Sequence, residues 1–350
     1  MGVGRRNHFI PRLLLNRFSS RTLGKKSWIW QVGKDGSAAE SSVRDVAVSV
    51  DFYGGITTGL EKTFQGLETR FHQALVAIEA GANPHSHAET LTALVWTLST
   101  RTRALRGQVE ALGARVVAAM CESVGSVEAQ RAGVRAAKAA ADRKVSEQLS
   151  KLSSEERAAA TKWLENGGRE RVHDDAERFA KSVDIVSGAR QVAEDIRRER
   201  AIQTSARSGQ LKALQTALSF ERLPRWLRPR WWAVHLAEPG TYILGDACVI
   251  ARSRRGQIGV PMQFGHEEWH TLYLPISSSR VLEAGYGNFR REVTADEINR
   301  ASAEVSYSYI YSSVHDARIV HLGRMIGTTS PVSAQEIHDM VMDAWKNLEM

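Results

Sequence analysis

The sequence predicts an α+β fold, and three observations lead to this prediction. A hairpin pattern lies near the N-terminus, helical periodicity fills the middle of the chain, and β-forming stretches with helices follow Pro224. The 350 residues are 43% hydrophobic, which is enough for a substantial core. We therefore expect an N-terminal part over residues 1–125 and a helical, partly protruding region over residues 126–220. Residues 221–350 should form a β-containing part that packs on residues 1–125 as one composite domain.

The N-terminal hairpin is predicted from two β-forming stretches and a turn signal. Residues 28–32 are rich in tryptophan and β-branched side chains, and residues 43–50 are rich in valine. The segment Gly33-Lys34-Asp35-Gly36 between them has the composition of a tight turn. We expect the two stretches to pair across this turn.

The helical middle begins with large apolar residues at steps of three and four: Leu60, Phe64, Leu67, Phe71, Leu75 and Ile78. A Gly81-Ala82-Asn83-Pro84 segment ends this helix, and a second helix is expected from near Ser86 to Val116. From residue 127 to 218 the chain is rich in alanine and charged residues, which is typical of long solvated helices. These helices should break near Gly167-Gly168 and Ser187-Gly188.

The C-terminal third is predicted to contain antiparallel strands and two helices. Residues 231–236 and 242–250 are expected to pair as a hairpin across Glu238-Pro239-Gly240. Further strands are expected at residues 257–264 and 271–276. Capping boxes mark the starts of the two helices, Thr294 with Glu297 and Ser333 with Glu336.

The chain is basic, with 47 lysines and arginines against 39 aspartates and glutamates and a net charge of +8. This balance favours phosphate-bearing partners such as nucleic acid or nucleotides. The two cysteines, Cys121 and Cys248, have no paired spacing, which argues against a disulfide framework and is typical of a reducing compartment. The apolar stretch near the N-terminus is too short for a signal peptide or a membrane span. We therefore expect a cytoplasmic protein with no membrane partner.

Polar residues suited to chemistry begin with Asn7 and His8, directly before an apolar segment. The imidazole of His8 could act as a general base or a metal ligand, or it could be a hydrogen-bonded structural histidine. On the first long helix, Glu61 and Glu68 are seven residues apart and project on roughly the same side. Such carboxylates can hold a divalent cation or transfer protons, but they can also bind a neighbouring arginine.

Arg101 occupies an inward position on the second helix, in step with Leu98 and Leu105. An arginine that points toward a core needs an anionic partner, because an unpaired buried charge is very costly. That partner is either Glu68 or Asp246 in an ion pair, or a phosphate or carboxylate of a ligand.

Asp246 follows Gly245 within an otherwise apolar predicted strand. Aspartate is disfavoured in strands, so its presence indicates a bend, a bulge or a site. The alternatives are a bulge at which Gly245 supplies the bend and a functional carboxylate.

A separate segment alternates cations with aromatic rings and includes Arg225, Trp226 and Arg228, followed by Trp231. Arginine with tryptophan can bind phosphate and stack on bases. A segment of this composition can equally pack as a linker on a domain surface.

A series of short motifs runs along nearly the whole chain: Asn7-His8-x-x-Pro11, Leu60-Glu61 to Glu68, Thr100-Arg101-Thr102, Trp232, Gly245-Asp246, Leu274-Pro275-Ile276-Ser277, Asn299 and Tyr309-Ile310-Tyr311-Ser312. The order of these motifs resembles that of the domain-of-unknown-function family 4238. The family usually has Ser-Asp-Asn-Pro around the aspartate, whereas this chain has Gly245-Asp246-Ala247-Cys248. The resemblance implies no activity, but it implies that the polar residues of these motifs converge: His8, Glu61, Glu68, Arg101 and Asp246.

Two function hypotheses follow from these residues. The first is a hydrolase or nuclease-like enzyme that acts on a phosphate-bearing substrate. In it His8 is the base, Glu61, Glu68 and Asp246 are acid/base groups or metal ligands, and Arg101 binds the anion beside Asn7.

The alternative is a non-catalytic nucleic-acid-binding or regulatory module, such as a bacterial toxin or defence component, that uses Arg225, Trp226 and Arg228. A protein partner bound through the helical middle is a third and separate hypothesis. The sequence indicates no particular cofactor and leaves open whether a metal is bound.

Overall fold

The computed structural model describes residues 6–50, 52, 60–182, 188, 191, 194–196, 200–218, 228–261, 268–288, 290–329 and 334–346. The structure is α+β, with helices and antiparallel sheets. The chain divides into two compact units. Unit 1 contains Met1–Val109 and Ser205–Pro331, and unit 2 contains Glu110–Thr204 and Val332–Met350.

Unit 1 begins with β1 (Arg6–His8), the short helix α1 (Arg12–Leu15) and a 3-10 turn at Asn16–Phe18. The strands β2 (Arg21–Leu23), β3 (Lys26–Gly33) and β4 (Ala38–Ser42) follow, and β5 (Val48–Val50) comes next. The predicted hairpin exists as β3 paired with β4, but its second arm is residues 38–42, so the prediction of residues 43–50 is wrong. Part of that stretch instead forms β5, which pairs with β1 far away in the sequence.

The long helices of unit 1 begin with α2 (Leu60–Glu79), which confirms the predicted first helix. The predicted second helix is divided into two helices, α3 (Ala88–Arg101) and α4 (Arg103–Ser123). The division occurs because Thr102 takes an extended backbone with φ −77° and ψ 154°. The Gln210 amide donates to the carbonyl oxygens of Thr100 and Thr102, which satisfies the backbone at this buried break. Gln210 belongs to α8 (Ala201–Leu218).

A five-stranded antiparallel sheet of unit 1 runs in the order β6 (Trp231–Leu236), β11 (Arg280–Gly285), β10 (Trp269–Ser277), β8 (Ile250–Ser253) and β9 (Ile258–Gly259). The predicted pairing of residues 231–236 with residues 242–250 is therefore wrong, because β6 pairs with β11. Residues 242–250 contain only the short strand β7 (Leu244–Gly245) and the first residue of β8. The predicted strand at residues 271–276 is confirmed as part of β10.

The other five-stranded sheet of unit 1 has β2, β3, β12 (Tyr309–Ser312) and β7 in that order, with β4 on β3. Before β12 lies α9 (Ala295–Val305), whose capping box between Thr294 and Glu297 is confirmed. After it lies α10 (Ala317–Arg324). The larger hydrophobic core of unit 1 contains apolar residues of α2, α3 and β10, among them Phe71, Leu94 and Leu274.

Unit 2 is helical in its described part. It takes α4 from Glu110 onward and contains α5 (Val127–Ser150), α6 (Ser154–Trp163), α7 (Arg169–Ser182) and α11 (Ala334–Lys346). The predicted break at Gly167-Gly168 is confirmed, since Gly167 has φ 91° within a π-helical turn between α6 and α7. Ser187 of the predicted Ser187-Gly188 break and Ser333 of the predicted cap lie outside the described ranges. In the described helices of the chain, no segment has the length and apolar character needed to span a membrane.

Candidate functional site

Arg101 is the last residue of α3 and joins three elements of unit 1. The residue is only 5% exposed. Its guanidinium donates from Nη1 to Glu68 Oε1 at 2.8 Å and from Nη2 to the carbonyl oxygen of His8 at 2.6 Å. The Cζ atom lies 4.4 Å from the ring centroid of Phe64. Arg101 therefore holds β1 and α2 against the end of α3, and Glu68 is a carboxylate partner of this inward arginine.

Glu68 also lies on the wall of a cleft of about 680 Å³, which we call the carboxylate cleft. One wall is a single face of α2, formed by residues spaced three or four apart: Glu68, His72, Val76 and Glu79. The remaining walls are the segment around α1 and the turn between β10 and β11, which contribute Arg12, Leu13, Asn16, Arg17, Ser277, Ser279 and Arg280. The backbone N–H of Ser278 donates to the carbonyl oxygen of Arg17, which ties these two walls together.

The charges of the carboxylate cleft are only partly neutralised within the protein. Arg17 and Glu79 form an ion pair, and Glu68 pairs through Oε1 with Arg101. The Glu68 side chain is 31% exposed, and its Oε2 receives no hydrogen bond from the described residues. Arg12 and Arg280 form no ion pair with a described carboxylate. The cleft therefore offers an accessible carboxylate oxygen close to arginines whose charge is not neutralised by an ion pair.

His8 and Asn7 lie in β1, where they pair in register with Val48 and Ser49 of β5. His8 is half-buried and Asn7 is 8% exposed. The backbone carbonyl of His8 accepts the bond from Arg101, and neither His8 nor Asn7 lines the carboxylate cleft. The structure thus brings the backbone of the His8 motif, Glu68 and Arg101 together.

Asp246 is fully buried in the turn that follows β7. Its carboxylate accepts three backbone N–H groups, from Tyr307 at 2.7 Å, Ser308 at 2.8 Å and Tyr309 at 3.1 Å. Burial raises the pKa of Asp246 to about 6, although these three bonds and the Arg103 charge act in the opposite direction. The carboxylate therefore holds the connection from α9 to β12, and Asp246 does not line the carboxylate cleft.

Cys248 lies in the same turn, with a left-handed backbone at φ 60°. Burial raises the pKa of the Cys248 thiol well above its usual range, and the Asp246 charge adds to this effect. Such a thiol stays protonated near neutral pH and is a poor nucleophile and metal ligand. Within the part of the chain that the structure describes, no group of three His, Cys, Asp or Glu side chains is arranged to hold a metal ion.

Three of the residues predicted from the sequence have side chains outside the described residues. Arg225 and Trp226 fall in the range 219–227, and the backbone of Glu61 lies in α2 but its side chain is not described. Arg228 is described and is exposed just before β6.

A second cleft, of about 640 Å³, shares Arg12 and Asn16 with the carboxylate cleft. We call it the cationic cleft, because its charged lining residues are Arg12, Lys25, Lys26, Arg44 and Asp45. Apart from Asn16, its uncharged polar and aromatic lining residues come from β3 and β4: Ser27, Trp28 and Ser42. The two clefts meet at α1 and the 3-10 turn that follows it.

Of the ionisable residues that line the carboxylate cleft, sequence reasoning identified only Glu68 and missed Arg12, Arg17, His72, Glu79 and Arg280. The i, i+4 spacing of Glu68 and His72 on one helix was a usable signal, because residues at that spacing share a helix face. Arg12 directly follows Pro11 of the N-terminal motif, which was a weaker signal. Nothing local in the sequence marks Arg280, because only the pairing of β10 with β11 carries its turn to the cleft.

The fold and the clefts define an α+β protein with a polar, cation-lined site in unit 1. The family model described as "Protein of unknown function (DUF4238)" matches residues 6–316, which is nearly the whole chain. The chain therefore belongs to the DUF4238 family. No curated protein and no solved structure matches it.

Proposed function

We propose that this protein is a phosphate-ester hydrolase whose active site is the carboxylate cleft. One observation carries the proposal: the Glu68 carboxylate, held by Arg101, lines the same cleft as His72 and the arginines Arg12 and Arg280. A carboxylate, an imidazole and unneutralised guanidinium groups are the parts that general acid–base hydrolysis of an anionic ester requires.

Arg12 and Arg280 bind the phosphate in this proposal. Neither is paired with a described carboxylate, and a guanidinium fork matches two phosphate oxygens. Arg280 is oriented by a bond from its Nη1 to Ser279 Oγ at 3.3 Å. The two arginines therefore supply charge where negative charge grows in the transition state.

Glu68 acts as the general base and His72 as the general acid. A water molecule attacks phosphorus, and Glu68 Oε2 takes the water proton as the new P–O bond forms. The P–O bond to the leaving group breaks, and protonated His72 gives its proton to the leaving oxygen. Transfer of the proton from Glu68 to His72 through solvent restores both groups, so the net reaction is ester plus water to phosphate and alcohol.

The proposal places the residues predicted from the sequence in different roles. Glu68 keeps its predicted catalytic role, and Arg101 becomes a positioning residue, because its guanidinium is bonded to Glu68 and to the His8 carbonyl. Asp246 supports the loop before β12. These assignments rest on hydrogen bonds that occupy the Arg101 and Asp246 side chains.

Hydrolysis of bis(p-nitrophenyl) phosphate by the purified chain tests the proposal. We expect Glu68→Gln to lower kcat by about 100-fold or more, which is the usual range for loss of a general base. The matched control is Glu40→Gln, because Glu40 also pairs with an arginine of unit 1 but lines neither cleft. Melting temperatures of both variants monitor folding.

A second pair of variants tests the general-acid role of His72. His72→Ala should lower kcat for substrates with poor leaving groups more than for p-nitrophenyl esters, because a poor leaving group needs the proton more. His85→Ala is the control, since His85 is exposed and lies outside the cleft. Wild-type turnover that Glu68→Gln leaves intact would exclude this active site.

The cationic cleft favours a second candidate function, a non-catalytic nucleic-acid-binding module. That function predicts salt-dependent binding to oligonucleotides with no hydrolysis of any phosphate ester by the wild-type chain. The same purified protein therefore separates the two functions, because only the first gives turnover.

A further inference from the structure

The cationic cleft is built by the tip of one hairpin and the end of another. Gly24, with φ 58°, forms the tight turn between β2 and β3 and sets Lys25 and Lys26 at its tip. Arg44 follows the end of β4, and the register of the β3–β4 pair places Trp28 opposite Ser42. Exposed cations from separate parts of the chain therefore line one concave surface.

The charge of this cleft distinguishes it from its surroundings. Arg12, Lys25, Lys26 and Arg44 form no ion pair with a described carboxylate, and Asp45 is the only carboxylate among the lining residues. Close by, Arg17 is paired with Glu79 and Arg21 is paired with Glu40. Unneutralised like charges in a concave surface raise the local positive potential and favour an anionic ligand.

The remaining lining groups suit a nucleotide strand. Ser27 and Ser42 are hydroxyl donors, and the Trp28 ring is partly exposed beside them. The Cζ atom of Arg21 lies 4.7 Å from the Trp28 ring centroid, so a cation already covers one part of the ring. Tryptophan beside lysine and arginine is the combination with which single strands are bound through base stacking and phosphate contacts.

We propose that the cationic cleft binds a single-stranded nucleic acid whose phosphate chain continues over Arg12 into the carboxylate cleft. This inference rests on the proposed function, because Arg12 is shared between the two clefts. Each cleft has the volume of a small-molecule site, which is room for about one or two nucleotides and not for a duplex. A ligand that occupies both clefts and passes over Arg12 is a strand and not a mononucleotide, so the substrate in this proposal is a strand.

The test is binding of a fluorescent 12-nucleotide strand, measured by anisotropy over a range of salt concentrations. The protein carries Glu68→Gln, so that cleavage does not interfere with the measurement. Adding Lys25→Ala, Lys26→Ala and Arg44→Ala should weaken binding at least about 10-fold and reduce the slope of log K against log salt by about 2, at ~0.7 per lost phosphate contact.

The control triple variant is Lys151→Ala, Lys162→Ala and Arg178→Ala, which removes the same charge from exposed positions of unit 2. It should keep the salt slope and nearly all the affinity. Equal loss in both triples would show that net charge alone attracts the strand and would overturn the inference.

Three further ligands decide the class of anion: a duplex of the same length, an abasic strand and inorganic polyphosphate. We expect each of them to bind at least about 10-fold more weakly than the strand, because none of them offers an unpaired base that can stack on the Trp28 ring. Polyphosphate or duplex that binds as tightly as the strand would overturn the assignment.

Turnover distinguishes the failure of this inference from the failure of the proposed function. If the wild-type protein binds the strand through the cationic cleft but hydrolyses no ester, the proposed function alone is refuted. If the wild-type protein hydrolyses bis(p-nitrophenyl) phosphate but the triple variant at Lys25, Lys26 and Arg44 binds strands normally, this inference alone is refuted.

Discussion

Replacement of Arg101 by methionine should destabilise the protein by about 3 kcal/mol. The hydrogen bond to the carbonyl of the half-buried His8 contributes about 1.5 kcal/mol, since the donor is charged. The pair with Glu68 contributes about 1 kcal/mol after a discount for solvent, because the Glu68 side chain is 31% exposed. The contact with the Phe64 ring adds about 0.5 kcal/mol. Methionine keeps most of the buried aliphatic part of the side chain, so the loss of stability measures the contribution of the guanidinium group.

The assay is urea unfolding followed by circular dichroism, with the same measurement on Arg21→Met. Arg21 also combines a glutamate partner with a tryptophan ring, but its side chain is 51% exposed. The Arg21 substitution should therefore cost less than about 1 kcal/mol. Equal losses for the two variants would refute the argument that burial gives the Arg101 contacts their strength.

A double-mutant cycle isolates the ion pair from the other two contacts. Arg101→Met combined with Glu68→Gln should cost about 1 kcal/mol less than the sum of the single changes. A coupling energy of zero would show that Glu68 and Arg101 do not stabilise one another.

Two further predictions concern β7 and the turn that follows it. Burial raises the pKa of Asp246 from 3.8 to about 6, so the stability from its protonation is present at low pH and is lost as the pH rises through about 6. Unfolding at several pH values should show the wild type losing up to about 3 kcal/mol relative to Asp246→Asn between about pH 4 and about pH 6.5, and a rise instead would contradict this. Gly245→Ala should cost about 1–3 kcal/mol in urea unfolding, because its Cβ would lie 2.6 Å from the Ser302 carbonyl oxygen. Gly66→Ala is the control, since nothing lies within 4 Å of its Cβ and alanine favours the helix, and equal effects at both glycines would refute the steric argument.

Local pattern was sufficient for the helices but not for every break between them. The apolar steps from Leu60 to Ile78 predicted α2, and the Thr294–Glu297 box predicted the start of α9. The break at Thr102 was not predicted, because it depends on Gln210, whose amide donates to the buried carbonyl oxygens at the break from a helix more than a hundred residues away.

Strand partners were predicted less well than strands. The turn signal at Glu238-Pro239-Gly240 favoured pairing between neighbours in sequence, but β6 pairs with β11 and β7 pairs with β12. The composition of a strand allows it to pair with several partners. Which partner it takes depends on which pairing buries both faces of the sheets.

The candidate site was also predicted only in part from the sequence. The sequence identified Arg101 as an inward arginine that needs an anion and named Glu68 among its partners, and it predicted Asp246 as a bend or a site. It did not identify the cleft, because Arg12 and Arg280 line one cleft with Glu68 only when α1 and the β10–β11 turn pack beside α2.

By itself, the sequence determined the α+β class, the principal helices and the family, because these depend on the order and spacing of neighbouring residues. Tertiary structure alone decided the strand pairing, the two clefts and the contacts of Arg101. The physical reason is range: helix hydrogen bonds join residues four apart, whereas Arg101 bonds to residues 33 and 93 positions away. Contacts at that separation form only when the whole of unit 1 packs.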